Sequence, residues 1–193
     1  MSLLFFIEMK MKMLVLKLQE KLQLFGFPMP SVLQVLQKIH DDWNNPSESL
    51  NRLSAMTLQQ RLRKRMLQYD KGTHDGSIDL LISGCEVSLW VGEQFASDMH
   101  RAFPKLKIVC LSANKLLALL GQGFSSPQAG FSFHEGSYDL SESCVMLISQ
   151  SGGTFATLNT SNLLKGFTSN IFVVTSEWDT QVARSVRAGR SVP

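Results

Sequence analysis

The chain has 193 residues, of which 44% are apolar and 18% charged. This composition excludes a disordered polar chain and suits one folded domain with a helical appendage. The formal net charge is +3, and residues 1–76 hold 11 Lys and Arg against 7 Asp and Glu. The basic excess therefore belongs to the first part of the chain. The three cysteines, Cys85, Cys110 and Cys144, lack the spacing of a disulfide scaffold or a zinc site, which predicts reduced thiols in a cytoplasmic protein and no metal site. No cofactor is expected either.

The first 25 residues contain two apolar stretches. Residues 3–7 are apolar, but Glu8 and Lys10 interrupt the run well before the roughly 20 residues that a membrane span needs. Residues 14–25 have the spacing of an amphipathic helix. Because residues 9–13 alternate like a strand, the structure of the stretch 9–25 stays open. We therefore expect no membrane span; packing against protein is the commoner fate of such an apolar stripe, and an interfacial helix is the alternative.

Two helices are predicted next, followed by a turn. Ser31 is the expected N-cap of the first helix, which ends near Asn44. The second starts at Ser47 or Ser49, with a buried stripe of Leu50, Leu53, Leu58, Leu62 and Met66 and a solvated basic face of Arg61, Arg63, Lys64 and Arg65. The turn-rich segment 71–76 leads to the second region. The predicted domains are a helical appendage, residues 1–75, and an α/β domain, residues 76–193.

From residue 76 onwards, strands and helices alternate. The predicted strands are rich in Val, Ile and Leu, as buried parallel strands are, and cover Ile78–Ser83, Lys107–Ser112, Cys144–Ser149 and Ile171–Thr175. The predicted helices cover Ser88–Ala102, Lys115–Leu120, Phe155–Lys165 and Thr180–Arg187, and residues 122–139 form a long loop. The alternation predicts an α/β fold, a three-layer doubly wound parallel sheet with four recognisable strands.

The segment Ser149–Thr154 follows a predicted strand and precedes a predicted helix. Its sequence is Ser-Gln-Ser-Gly-Gly-Thr. Glycines allow close approach of the backbone, and the first turn of the following helix offers unpaired N–H donors at the positive end of its dipole. This pattern predicts an anion-binding loop.

This loop resembles the Ser-x-Ser-Gly-x-Thr phosphate loop of the sugar isomerase (SIS) domains. Gly84–Ser88, with the sequence Gly-Cys-Glu-Val-Ser, is similar to the Gly-Cys-Gly-Thr-Ser turn in the isomerase half of glucosamine-6-phosphate synthase, and Ser112–Asn114 stands where that family has Ala-Ser-Glu. The resemblance implies the flavodoxin-like strand order 2-1-3-4-5 of SIS domains. That order brings the turns after strands one and three to one crevice.

The resemblance implies a phosphosugar ligand and seven binding residues, which are Ser88, Ser149, Gln150, Ser151, Gly152, Gly153 and Thr154. The hydroxyls would bind the phosphate, the two glycine amides would donate to it, and the glutamine would reach a sugar oxygen. Two residues depart from the family pattern. Val87 replaces a threonine, and Glu86 replaces a glycine and brings a negative charge towards the anion, so Glu86 must point away.

The family's catalytic stretch, of the type Glu-x-Gly-Val-Ala-Ser-Thr-Lys, has no counterpart here. No Glu or Asp follows Asp179, and no fifth strand is recognisable. The other His and carboxylate candidates for proton transfer are His134 and Glu135, adjacent residues in the long loop. We therefore expect phosphosugar binding without catalysis, with an incomplete SIS domain whose fourth strand forms an exposed edge.

Alternatives and partners follow from the same features. One alternative is a phosphosugar isomerase or a fragment of a glucosamine-6-phosphate synthase-like enzyme. Another is a sugar-phosphate-responsive transcription regulator, although the tight helix pair of a DNA-binding motif is not recognisable, so nucleic acid is not the expected partner. The exposed edge and the amphipathic stretch favour a homodimer or a completing partner chain.

Overall fold

The computed structural model describes residues 29–45, 49–121 and 139–188. Two predictions, the amphipathic stretch 14–25 and the His134–Glu135 pair, lie outside the described residues. The chain divides into two compact units, Met1–Gln60 and Arg61–Pro193. The predicted domain boundary between residues 75 and 76 stays a prediction.

Helices α1 (Met29–Asn44) and α2 (Leu50–Asp70) come first along the chain. Ser49 caps α2, because its Oγ accepts the Arg52 N–H at 3.1 Å, as one of the two predicted starts required. The cap predicted at Ser31 is wrong. Helix α1 begins at Met29 because a proline such as Pro30 is tolerated in the first turn of a helix, and this places Ser31 inside the helix.

The predicted stripe of α2 is only partly correct. Leu58 and Leu62 are buried, whereas Leu50 and Leu53 are 50% and 61% exposed. At 3.6 residues per turn, Leu53 lies about 140° and Leu50 about 80° around the helix from Leu58, so neither lies directly on the face of Leu58. The predicted solvated basic face needs one correction: Arg65 lies about 60° from Leu62 and is 2% exposed, while Arg61, Arg63 and Lys64 are exposed as expected.

The second unit contains a parallel sheet. Its strands are β1 (Leu80–Gly84), β2 (Ile108–Ser112), β3 (Cys144–Ile148) and β4 (Ile171–Val174), in the order β2-β1-β3-β4. Ser83 and Gly84 of β1 pair with Leu147 and Ile148 of β3. All four predicted strands are confirmed with ends shifted by one or two residues, and so is the order. The reversal of strand order lies between β1 and β3, where ligands of open α/β sheets bind.

Helices α3 (Val87–Ala102), α4 (Ala113–Gly121), α5 (Phe155–Leu164) and α6 (Gln181–Ala188) cover the sheet. One face, with Leu81, Val145 and Leu147, forms a buried core with α4, α5 and α6. On the other face, a Cβ on Gly92 of α3 would lie 2.8 Å from Ile82 Cγ2, so glycine allows close helix packing. The fold is therefore a three-layer, doubly wound α/β sheet, as predicted.

Strand β4 is an edge of the sheet within the described residues, and its Val174 is 46% exposed. This is the edge that the sequence predicts. No helix of the described ranges is long and apolar enough to span a membrane.

Candidate functional site

The loop Ser149–Thr154, which we call the phosphate loop, leaves the sheet at the carboxyl end of β3. Ser149 is buried, and its N–H bonds the Val174 carbonyl at 3.0 Å. Its Oγ accepts the Gly152 N–H at 3.1 Å and donates to Thr154 Oγ1 at 3.5 Å. Ser149 therefore stabilises the loop through hydrogen bonds to two of its own residues. Its position in the motif did not predict this structural role.

Gly152 is in the left-handed conformation, with φ of +62°. A Cβ at this position would overlap the side chain of Thr180, so both the dihedral and the available space require glycine. Its carbonyl accepts the Val182 N–H at 2.9 Å. The turn that results exposes Gln150, Ser151, Gly153 and Thr154 to solvent.

Helix α5 begins directly after the phosphate loop. Thr154 is its N-cap residue, with φ −60° and ψ 121°, and makes no side-chain cap hydrogen bond. The N–H groups in the first turn of a helix have no acceptor within the helix and lie at the positive end of its dipole. Exposed hydroxyls of Ser151 and Thr154 stand beside this uncapped end. An anion at this position would accept from first-turn N–H groups of α5 that have no acceptor within the helix.

The segment after β4 holds the phosphate loop from the other side. The Gln150 carbonyl accepts hydrogen bonds from Ser176 N–H at 3.2 Å, Ser176 Oγ at 2.7 Å and Thr175 Oγ1 at 3.3 Å. Thr175 Oγ1 also forms a hydrogen bond with Thr180 Oγ1 at 3.4 Å, in which it can accept the Thr180 proton while its own proton bonds the Gln150 carbonyl. The sequence did not lead us to expect these supporting residues. The sequence signal that could have identified them is the pair of hydroxyl residues, Thr175 and Ser176, directly after β4, the strand that pairs with β3.

The turn after β1 adjoins the phosphate loop. A Cβ on Gly84 would lie 3.0 Å from both the Ile148 carbonyl oxygen and the Ser88 carbonyl carbon, so glycine allows this approach. Further out, Cys85 Sγ lies 3.8 Å from Thr157 Oγ1 in the first turn of α5. The structure therefore brings together the two turns that the sequence places in one crevice, and Ser88 is half-buried there.

Glu86 has a backbone conformation that favours glycine. Its φ is 48° and its ψ is −119°, close to the first central position of a type II′ turn. The Ser88 N–H closes this turn on the Cys85 carbonyl at 3.0 Å. Within the described residues Glu86 is the one non-glycine with positive φ. The similar turn of the SIS family has glycine at this position, so the substitution places a strained, exposed carboxylate beside the crevice.

The third turn similar to the SIS pattern, Ser112–Asn114, connects β2 to α4. Ser112 Oγ accepts the Lys115 N–H at 3.2 Å, which caps α4. The Ala113 carbonyl accepts a hydrogen bond from Thr160 Oγ1 of α5 at 3.2 Å. This turn fastens α4 to α5, the helix whose first turn faces the crevice.

A buried polar network lies at the opposite, amino-terminal end of β1. Arg65 donates to Asp79 at 2.6 Å, to Asp75 at 2.9 Å and to Ser77 at 2.6 Å. Asp79 also accepts the Tyr69 hydroxyl at 3.1 Å and the Lys107 N–H at 2.7 Å. Because the crevice lies at the carboxyl ends of the strands, this network anchors α2 to the sheet and takes no part in the site.

Two pKa values in this network are shifted. The hydrogen bond from Arg65 lowers the pKa of the Asp75 carboxyl well below its usual range, against the opposing effect of burial. Burial, followed by the charge of Asp79, raises the pKa of Tyr69 to about 12. His74 stacks on Tyr69 with ring centroids 3.6 Å apart, and its Nδ1 accepts the Gly76 N–H at 2.9 Å.

Two of the thiols, and the arrangement of potential metal ligands in the described part of the chain, offer no second centre. Burial raises the pKa of Cys110 to about 11 and of Cys144 to about 12, so both thiols stay neutral near pH 7. No group of three or more His, Cys, Asp and Glu side chains that could hold a metal ion occurs in residues 29–45, 49–121 and 139–188.

Comparisons with known proteins find few similarities. No protein-family model and no curated protein matches this chain. A solved structure from Clostridium novyi NT, provisionally named a tagatose-6-phosphate ketose/aldose isomerase, is 17% identical with a TM-score of 0.41; the match covers 72% of this chain and 31% of that one. A provisionally named sugar-phosphate isomerase from Listeria monocytogenes is 18% identical with a TM-score of 0.42, covering 78% of this chain and 68% of that one. This degree of similarity establishes neither a family nor an activity.

Proposed function

We propose that the protein binds a phosphorylated sugar, with the phosphate at the phosphate loop and the first turn of α5. The uncapped amino terminus of α5, next to the left-handed turn at Gly152, is the observation that supports this most. The resemblance of two adjoining turns to SIS domains supports a sugar as the remainder of the ligand.

The proposed ligand contacts are of two kinds. Backbone N–H groups in the first turn of α5 would bind the phosphate together with the exposed hydroxyls of Ser151 and Thr154. The Gly153 N–H donates to Ser151 Oγ at 3.3 Å and would exchange that partner for the phosphate. Gln150 and Ser88 would contact the sugar. The phosphate loop contains no Lys or Arg, so affinity would depend on positioned dipoles rather than on a paired cation.

Calorimetry with glucose 6-phosphate, inorganic phosphate and glucose tests this proposal. We expect both phosphates to bind and glucose not to bind. The double variant S151A/T154A removes two hydrogen bonds to a charged group and should weaken binding by about 2 to 4 kcal/mol. S141A is the matched control, because Ser141 is an exposed serine that precedes β3, at the other end of the sheet. Equal affinity for glucose and glucose 6-phosphate would refute the proposal.

We also propose that the protein acts by binding rather than by turnover. In the two turns of the crevice, Gly84–Ser88 and Ser149–Thr154, Glu86 is the one carboxylate. Proton transfer between sugar carbons needs a positioned base, and Glu86 belongs to a turn whose geometry favours glycine. Assays for conversion of glucose 6-phosphate to fructose 6-phosphate should show no turnover. Turnover that E86Q or H134A abolishes would establish an isomerase instead.

We propose, finally, that the protein self-associates or binds a completing chain through the β4 edge. Strand β4 has one neighbour within the described sheet, and its unpaired backbone groups can pair with another strand. Light scattering at micromolar concentration should show a species larger than a monomer. A monomer at all concentrations, with a cooperative melt, would contradict the proposal.

A further inference from the structure

The segment Thr175–Thr180, between β4 and α6, is fastened to the phosphate loop at both ends. At its start, Ser176 bonds the Gln150 carbonyl through N–H and Oγ. At its end, the Thr180 side chain packs against Gly152 so closely that no Cβ fits between them. Trp178 stands midway, two residues from each anchor, and therefore within about 7 Å of each along the backbone.

Trp178 is exposed and yet held in place. The Arg187 guanidinium lies 4.3 Å from the centre of its ring, a cation–π arrangement. Arg187 in turn contacts Asp179 Oδ1 at 3.3 Å, and Arg184 contacts the same oxygen at 2.9 Å. With one ring face under Arg187, Trp178 is still 62% exposed, so much of the residue remains accessible to a ligand.

An open indole face has a chemistry that suits a sugar ring. The face of an aromatic ring is apolar and carries partial negative charge, whereas one face of a pyranose presents C–H groups with partial positive charge. An open-chain sugar lacks this flat C–H surface and would lose conformational freedom on binding. The platform therefore discriminates between ring and chain forms of the same phosphosugar.

We propose that Trp178 is the platform for the pyranose ring of a phosphosugar whose phosphate is bound by the phosphate loop. Trp178 is thus a specificity-determining residue that selects closed-ring ligands. This inference rests on the proposed function, and it adds a ligand class and a residue that the SIS-like motifs do not include.

The experiment compares two probes that differ in ring closure, 1,5-anhydroglucitol 6-phosphate and glucitol 6-phosphate, with inorganic phosphate as the reference. Calorimetry is carried out on the full chain, on W178A and on W178F. We expect W178A to weaken the ring probe about fivefold, which corresponds to about 1 kcal/mol, and to change the open-chain probe and inorganic phosphate less than twofold. W178F should retain part of the preference for the ring.

The matched control is W90A, because Trp90 is a comparably exposed tryptophan, at 67%, on α3. It should leave the ratio of ring to chain affinity unchanged. Because the ring-to-chain affinity ratio is measured within one variant, a substitution that weakens phosphate binding in general changes both affinities equally and leaves the ratio unchanged. If W178A does not fold, W178L takes its place.

The outcomes separate the two proposals. Absence of binding by every phosphate to the unmodified protein overturns the proposed function and the platform together. Binding of phosphates with an unchanged ring-to-chain ratio in W178A overturns the platform alone. The platform is also overturned if W90A changes the ring-to-chain affinity ratio as much as W178A does. Loss of a dimer in W178A without a change in that ratio would assign the indole to a contact between protein chains and would likewise overturn the platform.

Discussion

The substitution of Gly152 by alanine tests the geometry of the phosphate loop most directly. A non-glycine residue in the left-handed region costs about 1 to 2 kcal/mol. The added Cβ would also overlap Thr180 at its Cβ, Oγ1 and Cγ2, and overpacking of this kind costs about 1 to 3 kcal/mol. We therefore expect G152A to lower the free energy of unfolding by about 2 to 5 kcal/mol.

Two further variants divide this loss into its causes. G153A is the matched control, because the nearest atom to a Cβ at Gly153 would be Gln181 Oε1 at 3.7 Å, an ordinary contact; its unfolding free energy should stay within about 0.5 kcal/mol of the unmodified protein. In a T180G background the overlap disappears, so G152A should cost only the conformational part, about 1 to 2 kcal/mol.

Equilibrium urea unfolding, followed by circular dichroism, measures five proteins. They are the unmodified chain, G152A, G153A, T180G and the double variant G152A/T180G. A G152A variant as stable as the unmodified protein would refute the argument. So would an equal loss in both backgrounds, because it would show that Thr180 does not restrict the space beside Gly152.

Three further predictions concern the neighbouring turn and the buried network. E86G should raise the unfolding free energy by about 1 kcal/mol, because glycine relieves the strained φ. The control V87G, at the start of α3, should lower the unfolding free energy. Denaturant unfolding that finds V87G more stable than E86G would contradict the prediction. R65M should lower the unfolding free energy by about 3 to 5 kcal/mol at pH 7 by leaving a buried carboxylate without its cation. Folding lowers the pKa of Asp75, so the ionised carboxylate stabilises the fold above its unfolded pKa of about 4, and this contribution is lost as pH falls below that value. The difference in unfolding free energy between R65M and the unmodified protein should therefore become smaller in acid. A difference that does not depend on pH would be contrary evidence. Folding raises the pKa of Tyr69 from 10.0 to about 12, so the neutral hydroxyl stabilises the fold fully below pH 10, and this contribution is lost as pH rises towards 12. The unfolding free energy of the unmodified protein relative to Y69F should fall by up to about 3 kcal/mol across that interval. A difference that stays constant would refute the raised pKa of Tyr69.

Local sequence patterns predicted the α/β domain well. The strands β1 to β4 are short runs of Val, Ile and Leu because both faces of a parallel sheet are buried, and this pattern survives in any tertiary context. Gly152 was noticed because glycine allows close approach of the backbone, and Glu86 because it replaces a glycine of the similar SIS turn and brings a negative charge towards the expected anion. The helical stripe failed at Leu50 and Leu53, where spacing placed apolar residues on two different faces.

Long-range contacts could not be predicted in this way. Arg65 was assigned to a solvated basic face, but its partner Asp79 is 14 residues away and the pairing depends on how α2 packs on the sheet. The hydrogen bonds from Thr175 and Ser176 to Gln150 join residues about 25 positions apart. Such pairings leave no periodic signal, because each depends on the folded position of both partners.

The sequence by itself determined the order of elements, the strand-to-helix turns and the Ser/Gly loop after β3, since these depend on residues within one turn or one strand. The resemblance to SIS domains predicted that the Glu86 turn adjoins this loop, whereas only the tertiary structure decided that the segment Thr175–Thr180 holds it from the other side. Parallel pairing of β3 with both β1 and β4 places the Glu86 turn on one side and the Trp178 segment on the other. Neither neighbour can be inferred from local spacing, because the strand order and its register determine which turns share an edge of the sheet.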